Sequence, residues 1–266
     1  MADPFQDPDA AGPEFIKLFA DSMEVRQSDP VMEAVVADYL SKLTFAPDGL
    51  TVETGAGAGA VTRRIAAHAA PARVLGYDPS TGFVAEARDR AAGIDNLAFE
   101  VADGAQLPLP DACADHVIMH TVLTHVPDPA ALISEAQRVL KPGGHLVICD
   151  VDFSKASLAS FANDPLDACA REFVRVFVTD PFVVGKLGRL IDGAGLTQVE
   201  FTVQSRVVSS TSQMLPWVDL VANGMQANGD ISPEFAAALI AEHNRRLAAG
   251  TLYGYQAIAT AIARRD

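Results

Sequence analysis

The sequence predicts an α/β protein with a mostly parallel sheet and helices on both faces. Three observations carry this expectation. Short apolar runs at 50–52, 73–77, 98–101, 115–120 and 145–150 alternate with helical patterns or loops, the rhythm of strands joined by crossovers. The first run ends in Glu53 and enters a turn in which Gly55, Gly57 and Gly59 alternate, followed by a helical pattern from Val61. The fourth run, Asp115 to His120, is apolar without strict alternation, which suits a central strand covered on both sides.

The elements follow in order. Residues 1–13 are rich in Asp, Pro and Ala and are expected to be loosely held. Phe15, Leu18, Phe19 and Met23 have helical spacing over 14–23. Ser28-Asp29-Pro30 reads as the start of a second helix that continues through Leu43. The two helices are expected to lie over the glycine loop or, more plainly, to pack a sheet face. The glycine turn allows a sharp bend and close approach of a ligand, and it delivers free N–H groups at a helix N-terminus. Asp78 closes the second strand, 19 residues beyond Gly59. A carboxylate there can accept from both hydroxyls of a ribose; its plainer role is to cap the helix over 81–91. Asp103 follows the third strand at the same sheet edge, where an acid can accept from an exocyclic amino group or cap its own loop. Asp128-Pro129 starts a helix that Lys141-Pro142-Gly143-Gly144 stops. Beyond the fifth strand the rhythm changes. Residues 154–179 read as a helical insertion, 182–191 as a helix and 197–203 as a strand. Residues 211–249 read as largely helical with a break near Asn228-Gly229, and 251–262 as a last strand, antiparallel to 197–203 at the sheet edge.

Composition narrows the function. Thirty-four acidic against 20 basic residues give a net charge of −14, which argues against nucleic-acid binding. No run of about 18 apolar residues exists to span a membrane, and Met1-Ala2-Asp3-Pro4 lacks a secretory apolar core. Three scattered cysteines without a CxxC pair predict a reduced, cytoplasmic setting.

Four segments in this order, VETGAGAG, YDPS, ADGAQLPLPD and DHVIMHTVLTHVPDPAALISEAQRVLKPGGHLVICD, resemble the class I S-adenosylmethionine-dependent methyltransferases. The similarity is closest to the small-molecule group that includes the quinone-biosynthesis C-methyltransferases, and it covers residues 48–152. One GxGxG alone is weak; four segments with matching spacing are specific. The resemblance implies a Rossmann-like, seven-stranded sheet whose last strand is antiparallel. The helical periods outside residues 48–152 predict an N-terminal helical cap over 1–45 and insertions at 153–190 and 205–249 that could form a lid on a methyltransferase domain over 46–266, within which the resemblance lies. The resemblance implies S-adenosyl-L-methionine as cofactor. Glu53 and the backbone of Gly55, Ala56 and Gly57 would hold the methionine end, and Asp78 the ribose. Pro79 or Ser80 would lie under the adenine, Asp103 and Gly104 beside its amino group, and the backbone at His120 and Thr121 would face the cofactor amine. Thr54, Ala56 and Ala58 depart from the residues common at those positions, but they are small.

The expected chemistry is methyl transfer to a small apolar or aromatic, natural-product or quinone-like acceptor. A base is needed only where the acceptor must lose a proton. His125 and His120 are the candidate bases, since imidazole titrates near neutrality; His125 is also a candidate cofactor wall. Asp152, Tyr253 and Tyr255 are weaker candidates. Arg26, between the leading helices, could pair with the cofactor carboxylate. No metal is expected: His116 and His120 have chelating spacing only on a helix, and here they fall on a strand. Phe161, Phe173, Phe177, Met214, Trp217, Leu220 and Met225 could line an apolar acceptor pocket, or serve as core or a homodimer surface. Two rivals remain. A non-methylating protein could use the cofactor's charge for cyclisation or decarboxylation. An NAD-dependent dehydrogenase also satisfies the glycine pattern, but Glu53 would then face a pyrophosphate.

Overall fold

The computed structural model describes residues 3–210 and 217–266. Its centre is a seven-stranded sheet in the order β3-β2-β1-β4-β5-β7-β6. The strands are β1 (Leu50–Thr54), β2 (Arg73–Asp78), β3 (Leu97–Val101), β4 (Ala114–His120), β5 (Leu140–Val151), β6 (Thr197–Val208) and β7 (Gly254–Arg264). β1, β2, β3, β4 and β5 pair in parallel, and β7 runs antiparallel to both β5 and β6. The antiparallel last strand is as expected, but β7 lies inside the sheet and β6 forms the edge. The 12-residue β6 extends past its expected end and pairs with β7 down to Val208–Gly254.

Alternating side chains divide the core. Ile118 of β4 and Val147 of β5 face one side, while Val117, Met119, Leu146 and Ile148 face the other. Helices α2 (Pro13–Gln27), α3 (Pro30–Ser41) and α4 (Ala60–Ala69) pack on the first side, with α5 (Thr81–Arg90) beside them. α6 (Pro129–Val139) and α8 (Leu187–Gly193) cover the second. Asp29, Ser80 and Asp128 cap α3, α5 and α6 through their side chains, which satisfies free N–H groups where the sequence signals placed these starts. Proline at the first turn of α3 and α6 removes one of the donors that would otherwise be orphaned there.

Three expectations are corrected. The N-terminal segment is not loose: a short helix α1 (Pro8–Ala11) places Asp9 on the start of α5, where its carboxylate accepts from Ser80 Oγ at 2.7 Å and from the Thr81 and Gly82 amides at 2.8 and 3.0 Å. The insertion after β5 is α-helical only over α7 (Leu166–Phe177): a 3-10 turn at Phe153–Lys155 precedes it, and Ser157 bridges to Tyr255 in extended chain between them. The helix expected over 182–191 is a 3-10 turn at Val183–Lys186 followed by α8. In the long segment before β7, α9 (Asp219–Ala227) and α10 (Pro233–Ala248) pack against each other and against α7. Met214 and the expected start of this segment at 211 lie outside the described residues. Among those described, no helix is long and apolar enough to cross a membrane.

Candidate active site

The parallel strands deliver their carboxyl ends to one edge. β2 leaves β1 to one side and β4 to the other, so a crevice opens where the strand order reverses. Gly55, Ala56 and Gly57 line it. Gly55 and Ala56 donate to the Tyr77 carbonyl at 2.7 and 2.9 Å, and Gly57 donates to Asp78 Oδ2 at 2.8 Å. Gly57 and Gly59 have φ of +52° and +76°, where a side chain strains the backbone. A Cβ on Gly59 would lie 2.6 Å from Phe99 Cζ, so this position also fixes how closely α4 approaches β3.

Two neighbouring cavities share this loop. The first encloses about 690 Å³ with its open mouth included; its walls include Arg26, Glu53, Gly55, Ala56, Gly57, His120, Thr121 and His125. Phe5, Phe19, Met23, Phe153 and Phe173 supply its apolar side. The second, about 490 Å³, is bounded by Asp78, Pro79, Phe83, Val122 and Val126, and shares Phe5, Met23, Gly55, Gly57, Thr121 and His125 with the first. The structure therefore gathers ten of the twelve sequence-selected residues. Asp103 and Gly104 border neither cavity: the Asp103 carboxylate accepts from the Ala105 amide at 2.9 Å and caps its own exposed loop. Of the six described residues among those proposed as pocket walls, Phe173 lines the first of these two cavities and the other five line neither. Trp217 stacks behind it with ring centroids 5.1 Å apart, and Phe161 is exposed. Asp152 caps Ser154, while Tyr255 meets Ser205; neither of them, nor Tyr253, lines either of these two cavities.

The electrostatics are unusual. Glu53 is 1% exposed and its Oε2 has no hydrogen-bond partner. Burial pushes its carboxyl up to about 8. Asp78 accepts from the Gly57 and Ser80 amides, yet burial still lifts it to about 6. Arg26 has no ion-pair partner among the described residues and its Nε is orphaned; burial, then Arg206, lowers it to about 10, so it stays cationic at neutral pH. One cavity thus holds a buried carboxyl with one oxygen unpartnered and, among the described residues, a cation without an ion-pair partner, groups that a ligand carrying both charges would answer.

The two histidines differ. His120 is 4% exposed; its Nδ1 lies 3.3 Å from Tyr39 Oη and its Nε2 is unpartnered. Burial, with Arg26 and Arg64 nearby, lowers its pKa to about 3, so it is neutral at pH 7. His125 follows Thr121, a β-branched residue held at φ +58°, a strained conformation of the kind that collects at working sites. Asp150 fixes this turn by accepting from the Thr124 amide and hydroxyl at 3.2 and 3.0 Å. Phe5, in the segment expected to be loose, rests on the His125 ring at 4.7 Å and separates the two cavities. Nothing in its local sequence marked it. Met23 and Phe19 carried the helical period of α2, and this helix lies over the glycine loop as one of the two readings of the leading helices expected.

Comparison with known proteins agrees with this architecture. Residues 52–148 match the family model described as a methyltransferase domain. The chain is 30% identical over 229 residues to an uncharacterised transposon-encoded protein of Streptomyces fradiae, covering 77% of this chain and 66% of that protein. It is 32% identical over 130 residues to the demethylmenaquinone methyltransferase of Tropheryma whipplei, covering 49% of this chain and 53% of the relative. It thus spans between half and two thirds of the length of these relatives. Among solved structures, geranyl diphosphate C-methyltransferase from Streptomyces coelicolor, in complex with Mg2+, geranyl diphosphate and S-adenosyl-L-homocysteine, superposes with a TM-score of 0.53 at 18% identity. That superposition covers 88% of this chain and 80% of that one.

Proposed function

We propose, from the methyltransferase-domain match over residues 52–148, that this chain is a class I S-adenosylmethionine-dependent methyltransferase that transfers a methyl group to an apolar or aromatic small molecule. The observation that carries the reading is the pair Glu53 and Arg26. The amino-acid end of S-adenosylmethionine is a zwitterion, and its ammonium and carboxylate answer these two groups. The buried acid and the cation together answer both ends of that ligand, whereas a pyrophosphate has no cationic group to meet Glu53. Asp78 and Pro79, across the shared wall, would hold the ribose and adenine. Asp103 would reach the adenine only after leaving the Ala105 amide, so its part in binding is the least supported of the set.

When bound, S-adenosylmethionine supplies a methyl group already made electrophilic by its sulfonium. The protein's task is alignment and exclusion of water. Phe5, Phe19, Phe153 and Phe173 form the dry wall and favour an apolar or aromatic acceptor. Where that acceptor carries a hydroxyl or an acidic C–H, His125 takes the proton. His120 does not suit the role, because an imidazole held near 3 does not retain a proton at pH 7. The cysteines are free, Cys149 and Cys169 buried, which supports a reduced, cytoplasmic compartment.

The test is transfer of labelled methyl from S-adenosylmethionine to 1,4-naphthohydroquinone, 2-naphthol and comparable acceptors. Product that requires Glu53 and Arg26 supports the reading. Tight binding of the labelled cofactor with transfer to no acceptor would replace it with a non-methylating use of the same site.

A further inference from the structure

His125 is held by the N-terminal segment. Asp3 Oδ2 lies 2.9 Å from His125 Nδ1. Through Oδ1 the same carboxylate accepts from the Phe5 amide at 2.9 Å. The Thr179 hydroxyl lies within reach of both Asp3 Oδ2, at 3.1 Å, and the His125 carbonyl, at 3.0 Å. Asp3 is only 7% exposed, so water screens the pair weakly. An ionised carboxylate can only accept. In this pair Nδ1 therefore carries the hydrogen, and Nε2 keeps its lone pair. No described residue hydrogen-bonds to Nε2, and the ring borders both cavities. A His ring with one nitrogen locked on a buried acid and the other turned loose beside a cavity is an oriented base.

We propose that Asp3 is the positioning residue for His125: it fixes the tautomer whose Nε2 accepts the acceptor's proton, so the base is complete only while the N-terminal segment is docked. The proposal rests on the methyl-transfer reading above. The acceptor's hydroxyl proton passes to Nε2, and its oxygen lone pair forms the new bond to the methyl carbon. The sulfur–methyl bond breaks with its pair returning to sulfur. The imidazolium, balanced by the Asp3 carboxylate, then returns its proton to solvent. Neither Asp3 nor its segment belongs to the stretch matched by the family model.

Three variants test it: Asp3→Asn, His125→Ala and Thr179→Val, the last removing a hydroxyl beside the pair while the Asp3–His125 contact itself and the docked segment are kept. The first readout is the 15N spectrum of the His125 imidazole in the full-length protein without cofactor. The Nδ1–H tautomer is expected in the wild type and in Thr179→Val, and a mixed or inverted tautomer in Asp3→Asn. The second is the rate of methyl transfer to two phenols at one pH, 2-naphthol, which is protonated, and 4-nitrophenol, which is largely ionised at pH 8.5. Base catalysis contributes roughly 100- to 10,000-fold. Asp3→Asn is accordingly expected to lower kcat for 2-naphthol by about 10- to 100-fold, with little change for 4-nitrophenol or in cofactor Kd. An unchanged tautomer in Asp3→Asn overturns the proposal. So does an equal loss for both phenols, or a loss in Thr179→Val as large as in Asp3→Asn, since the Asp3–His125 contact would then not be what sets the base. If the wild type methylates neither phenol, the reading for hydroxyl acceptors fails, while the tautomer still decides whether Asp3 sets the ring.

Discussion

Binding of S-adenosylhomocysteine is expected to expel about one proton near pH 7, and the structure gives the amount. In the free protein burial raises Glu53 to about 8, so at pH 7 its carboxyl is protonated in about nine molecules of ten. A ligand ammonium beside it favours the ionised form and moves its pKa below the assay pH. About 0.9 proton then leaves at pH 7, about 0.5 at pH 8 and almost none above about pH 9.5. Asp78, raised to about 6, adds roughly 0.1 at pH 7 if the ribose hydroxyls favour its ionised form. Calorimetric titrations at one pH in phosphate and in Tris measure this number as the slope of the binding enthalpy against the buffer's ionisation enthalpy. Glu53→Gln is expected to leave only the small Asp78 share. A slope near zero for the wild type at pH 7, or the same slope in Glu53→Gln, would refute the assignment of Glu53 as the buried acid that meets the ligand.

Further consequences follow from the same site. The folded pKa of Glu53 lies above its ordinary 4.5, so its contribution to stability is full below pH 4.5 and falls as pH rises to about 8, by at most roughly 5 kcal/mol. Thermal melts of the free protein from pH 5 to 8 should show a steeper loss in the wild type than in Glu53→Gln. Arg26→Met removes a charge-assisted contact of about 1.5–3 kcal/mol, so the Kd for S-adenosylhomocysteine is expected to rise roughly 10- to 100-fold. The Kd for 5′-methylthioadenosine, which lacks the carboxylate, should stay the same; a parallel loss for both ligands removes Arg26 from that contact. Gly59→Ala combines a φ of +76° with a Cβ 2.6 Å from Phe99 Cζ, and is expected to cost about 2–4 kcal/mol in denaturant titrations. Phe173→Ala, between Phe177 at 4.9 Å and Trp217 at 5.1 Å, should lose about 3–5 kcal/mol and raise KM for an aromatic acceptor.

The reach of the sequence is visible in particular residues. Asp78 was found because it lies at a strand end at a fixed distance from a glycine turn, and both signals are local. Asp103 rests on the same kind of signal, yet its carboxylate turns back to the Ala105 amide two residues on; the choice between ligand and loop cap depends on what stands nearby. His120 and His125 looked alike as imidazoles after the fourth strand. Burial, a sum over neighbours from many segments, gave one a pKa of about 3, while a carboxylate 122 residues away holds the other.

By itself the sequence determined the five alternating strands of the parallel half, the glycine turn, the acids at the strand ends and the chemistry that turn can accept. Periods of two and 3.6 residues, caps and breakers are written within a few positions of one another. The tertiary structure alone decided that the Asp- and Pro-rich N-terminus folds over the crevice, that Phe5 and Asp3 meet His125, and that the late helices stack behind Phe173. It also decided that β7 enters between β5 and β6. Those are contacts between segments far apart along the chain, and no local period encodes which distant surface a side chain will meet.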